Sequence, residues 1–191
     1  MKTNKPWLII ITGLPGTGKT TIGRKLSHDL HIPFMSKDDF KEILFDTLGC
    51  KDRAWSQQLG EVSYDLLYKV TEDMLCAGSS LIIETNFNPK RASKKIMQLQ
   101  NTIGFNIFQL RFFADGHILF ERFKNRALSG NRHKGHCDAE NLDNFKDSLL
   151  CGTIDKLTVQ GEFLDVDTTD FEKVDYQKIV NIMRGTVHGM Q

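Results

Sequence analysis

Short, wholly apolar runs along the chain alternate with longer stretches in which apolar residues recur every three or four positions. The first run, Trp7-Leu8-Ile9-Ile10-Ile11, has no polar interruption and is rich in β-branched residues, the pattern of a strand covered on both faces of a parallel sheet. Phe34-Met35-Ser36, Leu81-Ile82-Ile83, Phe105 to Phe113 and Phe163 to Asp167 predict further strands. Helical periodicity places Ile22, Leu26 and Leu30 on one face over residues 18–30. It predicts a second helix over 39–48 with Phe40, Ile43 and Leu44 in register. Trp55, Leu59, Val62, Leu66, Val70 and Met74 mark a long helix up to about Ala77. Asn88-Pro89, a cap residue followed by proline, opens a helix whose inward face is Ala92, Ile96 and Leu99, and Asp115 caps one carrying Ile118, Leu119 and Phe123. Residues 140–150 and Tyr176 to Val187 predict the remaining helices, while residues 128–138, polar, basic and rich in Gly and His, read as a mobile loop. Strands alternating with helices imply βαβ units, hence a three-layer α/β/α fold on a five-stranded, mostly parallel sheet.

Composition narrows this picture without redirecting it. The 191 residues fit a single domain, residues 1–191, with enough chain for a proper core. A formal net charge of +1 supplies no broad basic footprint for long nucleic acids or a membrane surface. The 4 cysteines are scattered without a C-x-x-C pair, which fits reduced thiols. The apolar run at Trp7 is too short for a signal sequence or a membrane span. A cytoplasmic protein with no membrane partner is expected.

The first strand runs into Gly13-Leu14-Pro15-Gly16-Thr17-Gly18-Lys19-Thr20, a full match to G-x-x-x-x-G-K-[ST], with Thr21 next in the helix. The glycines allow a tight turn that turns backbone N–H groups toward an anion, and the N-terminus of the following helix adds its partial positive charge. In such a loop Lys19 reaches the β- and γ-phosphates, and the Thr20 hydroxyl ligates Mg²⁺. Strand before and helix after supply the context that the motif requires. A nucleoside triphosphate site is the expectation.

Three more stretches carry a resemblance: Ser36-Lys37-Asp38-Asp39-Phe40-Lys41, Glu84-Thr85-Asn86-Phe87, and Arg122 through His136. Together with the P-loop they make the chain resemble the P-loop kinases, a group that includes adenylate, gluconate and shikimate kinases, and especially the polynucleotide-kinase/zeta-toxin-like ATPases. The resemblance implies a nucleoside-kinase-like P-loop fold with a mobile lid at about 122–139, using ATP and Mg²⁺. By it, Asp38 is the carboxylate that takes the proton of an acceptor hydroxyl, and Lys41 stands in the place of a substrate-side arginine. Asp39 is then the helix cap. Glu84 takes the position of the acid that serves the metal beside Thr20, and Asn86, Lys90 and Arg91 lie where they could line the acceptor site. Arg122 and Arg126 stand four apart on one helix face; the first is expected on adenine and the second on the phosphates as the lid closes. Arg132 could add a cation in the transition state. Each of these side chains also has a plain structural reading, as helix cap, edge acid or solvated basic face. His133, His136, Cys137 and Cys151 match no paired zinc-ligand spacing, so incidental histidines in a lid are preferred.

The expected activity is transfer of the ATP γ-phosphoryl to a hydroxyl of a small molecule or of a nucleic-acid 5′ end. The alternatives are a P-loop ATPase that switches or drives a partner, and a binder without turnover. No Asn-Lys-x-Asp guanine-reading stretch is present, and intact Lys19, Thr20 and Glu84 speak for chemistry.

Overall fold

The computed structural model describes residues 5–130 and 132–187. Five strands, β1 (Trp7–Gly13), β2 (Phe34–Ser36), β3 (Leu81–Glu84), β4 (Asn106–Phe113) and β5 (Glu162–Asp167), form one parallel sheet in the order β2-β3-β1-β4-β5. The helices are α1 (Lys19–Leu30), α2 (Lys37–Leu48), α3 (Arg53–Cys76), α4 (Pro89–Ile103), α5 (Gly116–Leu128), α6 (Leu142–Leu150) and α7 (Tyr176–Val187). The predicted α/β/α architecture is the observed one.

β1 lies at the centre and is buried along its whole length, so its alternate side chains supply both cores. Trp7, Ile9 and Ile11 pack with Ile22, Leu26 and Leu30 of α1 and with Ile179 and Met183 of α7. Leu8 and Ile10 face the other way, onto Leu67 and Leu75 of α3 and Ala92, Ile96 and Leu99 of α4. A smaller cluster of Leu119, Phe123 and Leu149 joins α5 and α6 under the P-loop residue Leu14. The register aligns Ser36 of β2 with Glu84 of β3, and Glu84 with Ile11 of β1. Three strands therefore deliver their C-terminal ends to one edge, where open α/β sheets bind ligands.

Two helices turn a face inward that apolar periodicity did not select. On α2 the buried residues are Lys37, Lys41 and Phe45, whereas Ile43 is 61% exposed. On α3 the buried stripe is Ser56, Leu59, Gly60, Ser63, Leu67, Thr71 and Leu75, and Val62 and Leu66 face outward. The hydroxyls of Ser63 and Thr71 donate to the carbonyls of Leu59 and Leu67, at 2.6 and 2.7 Å, which satisfies them inside the protein. These small side chains suit a helix lying against both sheet and neighbouring helix, and a periodicity count scores them as polar.

α2 begins at Lys37, not Asp39, and its cap is Ser36, whose Oγ accepts from the Asp38 N–H at 3.2 Å. Asp39 is instead paired with Arg24 of α1 through both carboxylate oxygens, at 2.7 and 2.8 Å. The caps at Asn88 and Asp115 are as expected. Described residues of the 128–138 loop pack onto α2. Phe45 stacks on His133 at 5.2 Å and meets the edge of His136 at 5.6 Å.

Candidate active site

The P-loop wraps from β1 to α1 with Gly13, Gly16 and Gly18 at φ 152°, 89° and 74°. A Cβ on Gly13 would lie 2.5 Å from the Phe112 carbonyl oxygen, so the loop's first turn admits no side chain. Thr17 closes the turn by donating its hydroxyl to the Leu14 carbonyl at 2.8 Å. Lys19 Nζ stands 3.5 Å from Glu84 Oε1, and the Thr20 hydroxyl donates to Glu84 Oε2 at 3.1 Å. The buried Ser36 hydroxyl also donates to Glu84 Oε2, at 2.8 Å. Ser36 thus caps α2 and aims the strand-end carboxylate. The S-x-x-D pattern over 36–39 is the capping signal that could have located it. A hydroxyl and a carboxylate meeting at the mouth of the P-loop are the hard oxygen donors that Mg²⁺ prefers.

Beyond Glu84 opens a cleft of about 370 Å³. Its walls bring together Lys19, Thr20, Asp38, Lys41, Asn86, Arg126 and Arg132, drawn from the P-loop, α2, the end of β3, α5 and the lid loop. The two lid arginines are used differently. Arg132 spends all three nitrogens: Nη2 lies 2.8 Å from Asp38, Nη1 3.2 Å from Glu42, and Nε 3.1 Å from Asp138. Arg126 has a single 3.6 Å ion pair, to Asp138, and its buried Nε has no hydrogen-bond partner among the described residues. Of the two, Arg126 is the guanidinium still open to an incoming anion.

Asp38 is also 3.2 Å from the Lys37 ammonium. Burial pushes its carboxyl up, but Lys37, Arg132 and His136 outweigh that and hold it well below the usual carboxylate range. His136, whose ring nitrogen is 2.9 Å from Glu42, is pushed down to about 3 by burial and by the neighbouring Arg132. Burial raises the Glu42 carboxyl. Glu42 and Asp138 carried no role in the sequence reading, and His136 was read only as a lid histidine beside Arg132; the contacts of Glu42 with Arg132 and His136 cross 90 and 94 residues and leave no local pattern.

Arg122, Arg91 and Thr21 lie outside the cleft walls. Arg122 donates to the Thr168 and Thr169 carbonyls at 2.7 and 3.0 Å, which fixes it beside Gly16 of the P-loop. Arg91 is a correction: it is 65% exposed and bound to Glu61 of α3 at 2.6 Å, in a groove with Tyr64, Tyr68 and Phe87. The first turn of α4 directs it over α3. Thr21 is exposed on α1.

Comparison with known proteins identifies the family and the fold. A model of the AAA domain family (AAA_33) matches residues 8–150. A shikimate kinase of Bacteroides fragilis is 30% identical over 136 residues, 71% of this chain and 72% of that one. A shikimate kinase of Staphylococcus epidermidis is 26% identical over 168 residues, covering 84% and 85%. Among solved structures, a protein of Chloroflexus aurantiacus j-10-fl, provisionally described as a kinase, superposes with a TM-score of 0.86 at 38% identity, over 95% of this chain and 98% of that one. A sugar kinase of Janibacter sp. HTCC2649, at 13% identity and a TM-score of 0.54 over 94% and 92%, shares the fold. Among the described residues no helix is long and apolar enough to cross a membrane. With its P-loop, its strand-end acid and its relatives named as kinases, the chain belongs to the AAA domain family of P-loop proteins, in the P-loop kinase group.

Proposed function

We propose that the protein is an ATP-dependent kinase that transfers the γ-phosphoryl group to a hydroxyl of a small molecule. The observation that carries this is the convergence on one cleft of the P-loop pair Lys19 and Thr20, the oriented carboxylate Asp38 and the open cation Arg126. A cleft of about 370 Å³ is of small-molecule size, which favours such an acceptor over a nucleic-acid 5′ end.

Phosphoryl transfer asks the protein for alignment and charge neutralisation. The backbone of residues 13–18 cradles the phosphates, and Lys19 reaches their outer oxygens. Thr20 and Glu84 would hold Mg²⁺, which when bound would neutralise charge on the phosphate oxygens. Arg122, anchored at the Thr168 and Thr169 carbonyls, offers its guanidinium face to adenine. Asp38 accepts a hydrogen bond from the acceptor hydroxyl, aims it in line, and takes its proton late. A strong base is unnecessary, because in the loose transition state the hydroxyl still holds its proton, which leaves only after bond formation to phosphorus has made that oxygen acidic. Arg126 meets the transferring group, Arg132 holds Asp38, and Lys41 and Asn86 bind the acceptor. Residues 122–139 form a lid whose closing over α2 excludes water.

The test is transfer of labelled γ-phosphate from Mg-ATP to a panel of sugars, sugar phosphates, hydroxy acids and a 5′-hydroxyl oligonucleotide. Label on a small hydroxyl compound, lost in Asp38→Asn, is expected. Hydrolysis with no labelled acceptor across the panel would favour an ATPase that drives a partner.

A further inference from the structure

We propose that two flat side chains, Phe171 and Arg122, hold the nucleoside of the phosphoryl donor by its ring faces, and that the site therefore takes nucleoside triphosphates of any base, GTP as readily as ATP. This rests on the kinase reading and widens its donor from ATP to a class.

The P-loop has two flanks. On one lies the cleft, with Lys19, Thr20 and Asp38. In-line attack sets the acceptor oxygen opposite the β-phosphate, so with the acceptor in the cleft the nucleoside extends over the other flank. Arg122 and the single 3-10 turn Phe171–Lys173 after β5 form that flank, and neither Arg122 nor Phe171 lines the cleft. A Cβ on Gly16 would lie 3.5 Å from the Arg122 Cβ, and one on Gly18 would run into the Phe171 ring, 2.9 Å from its Cζ. The edge of the ring thus rests on the P-loop itself. Phe171 nonetheless stays 39% exposed. A large aromatic side chain left open beside a phosphate cradle has a face to offer another ring.

The groups on this flank that could read a base by its edge are already engaged. The carbonyls of Thr168 and Thr169 accept from the Arg122 guanidinium. The Thr168 hydroxyl donates to the Phe113 carbonyl at 3.0 Å, and the Thr169 hydroxyl oxygen accepts from the Asp115 N–H at 3.0 Å. Asp167 accepts from the Thr169 N–H at 2.8 Å, while Asp170 accepts from the Glu172 N–H and pairs with Lys173 at 2.9 Å. These engagements leave a base a guanidinium plane and a phenyl ring. Every base has a π-face, so stacking holds them all, whereas separating adenine from guanine takes hydrogen bonds to the ring edge.

The experiment has two arms. In the first, the β,γ-imido analogues of ATP, GTP and UTP, with Mg²⁺, are titrated by calorimetry into the wild type and Phe171→Ala. The three Kd values should lie within about tenfold of one another, and Phe171→Ala should weaken each by about fivefold or more. Should Phe171→Ala fail to fold, Phe171→Leu, which keeps apolar bulk on Gly18 and removes the aromatic face, is read in its place. Kd values more than about tenfold apart, or no loss in the variant that folds, would overturn the proposal. A ring that merely braced Gly18 would act through the phosphates alone. The added fluorescence of Phe171→Trp separates the two roles: it should be quenched by each analogue and left unchanged by tripolyphosphate, and equal quenching by tripolyphosphate would overturn the stacking. In the second arm, ATP and GTP labelled in the γ-phosphate are offered to the acceptor panel. Both should serve, with kcat/KM within about tenfold of each other. Transfer from ATP alone would overturn the proposal and leave the kinase reading standing. Base-independent, Phe171-dependent binding with no labelled acceptor from either donor would overturn the kinase reading, while the base-independent site would stand.

Discussion

Arg132 Nη2 and Asp38 Oδ2 lie 2.8 Å apart although 94 residues separate them in the chain. The lid loop thus reaches back to the first turn of α2 and holds the carboxylate proposed to meet the acceptor hydroxyl. Glu42 and Asp138, on the same guanidinium, make the hold a three-way clamp.

Arg132→Lys replaces the fork by a point charge that cannot meet three carboxylates. The expected result is a fall in kcat of about 100-fold with the ATP KM changed less than about threefold. A kcat within about threefold of the wild type in steady-state kinetics would take Arg132 out of this role.

Gly135 presses on Phe45 so closely that a Cβ would lie 2.5 Å from two ring carbons. Phe45 is 2% exposed and has nowhere to move. Gly135→Ala should therefore cost about 1–3 kcal/mol in stability and lift the turn carrying His136 away from α2. Turnover should fall while ATP binding stays near the wild-type value. Urea denaturation and nucleotide titration check the two halves separately.

Glu84→Gln keeps the shape and an acceptor oxygen for Ser36 but removes the charge facing Lys19 and Thr20. The fold should be kept, and the Mg²⁺ concentration for half-maximal activity should rise by about tenfold or more. A Mg²⁺ titration unchanged from the wild type would remove Glu84 from the metal site.

His136 links stability to acid. Its folded pKa of about 3 lies below the ordinary value of 6.5, so the fold favours the neutral ring. The stability this represents is fully present above pH 6.5, declines as the unfolded chain takes up the proton below that, and is gone once pH passes below the folded pKa. Across that window it amounts to at most a few kcal/mol. His136→Gln should flatten the slope between pH 6.5 and 5, where few carboxylates titrate. Urea midpoints at pH 7, 6 and 5 read the difference, and parallel slopes for the two proteins would refute the assignment.

What the chain alone determined was local. Trp7 to Thr20 is a buried strand, a glycine turn and a helix start because hydropathy, left-handed backbone and P-loop spacing are properties of adjacent residues. The caps at Asn88 and Asp115 belong to the same class, since a cap and the N–H groups it accepts from lie within one turn. Asp39 was misjudged as a cap because two adjacent carboxylates open the same helix. Arg24, on another helix, decided that Asp39 serves as an ion-pair partner while Ser36 caps.

Only the tertiary structure decided which face of α2 and α3 turned inward, and how the lid arginines divide their work. α2 does not bury its apolar side: it turns Lys37 and Lys41 to the cleft and Phe45 to the lid, because the neighbours there are charged groups and a histidine loop. Arg126 and Arg132 are the same residue type six positions apart, yet among the described residues one keeps an unpartnered nitrogen and the other is fully engaged. A guanidinium's role depends on which carboxylates surround it in space, and those around Arg132 come mostly from α2, brought to it by the packing of the lid on Phe45.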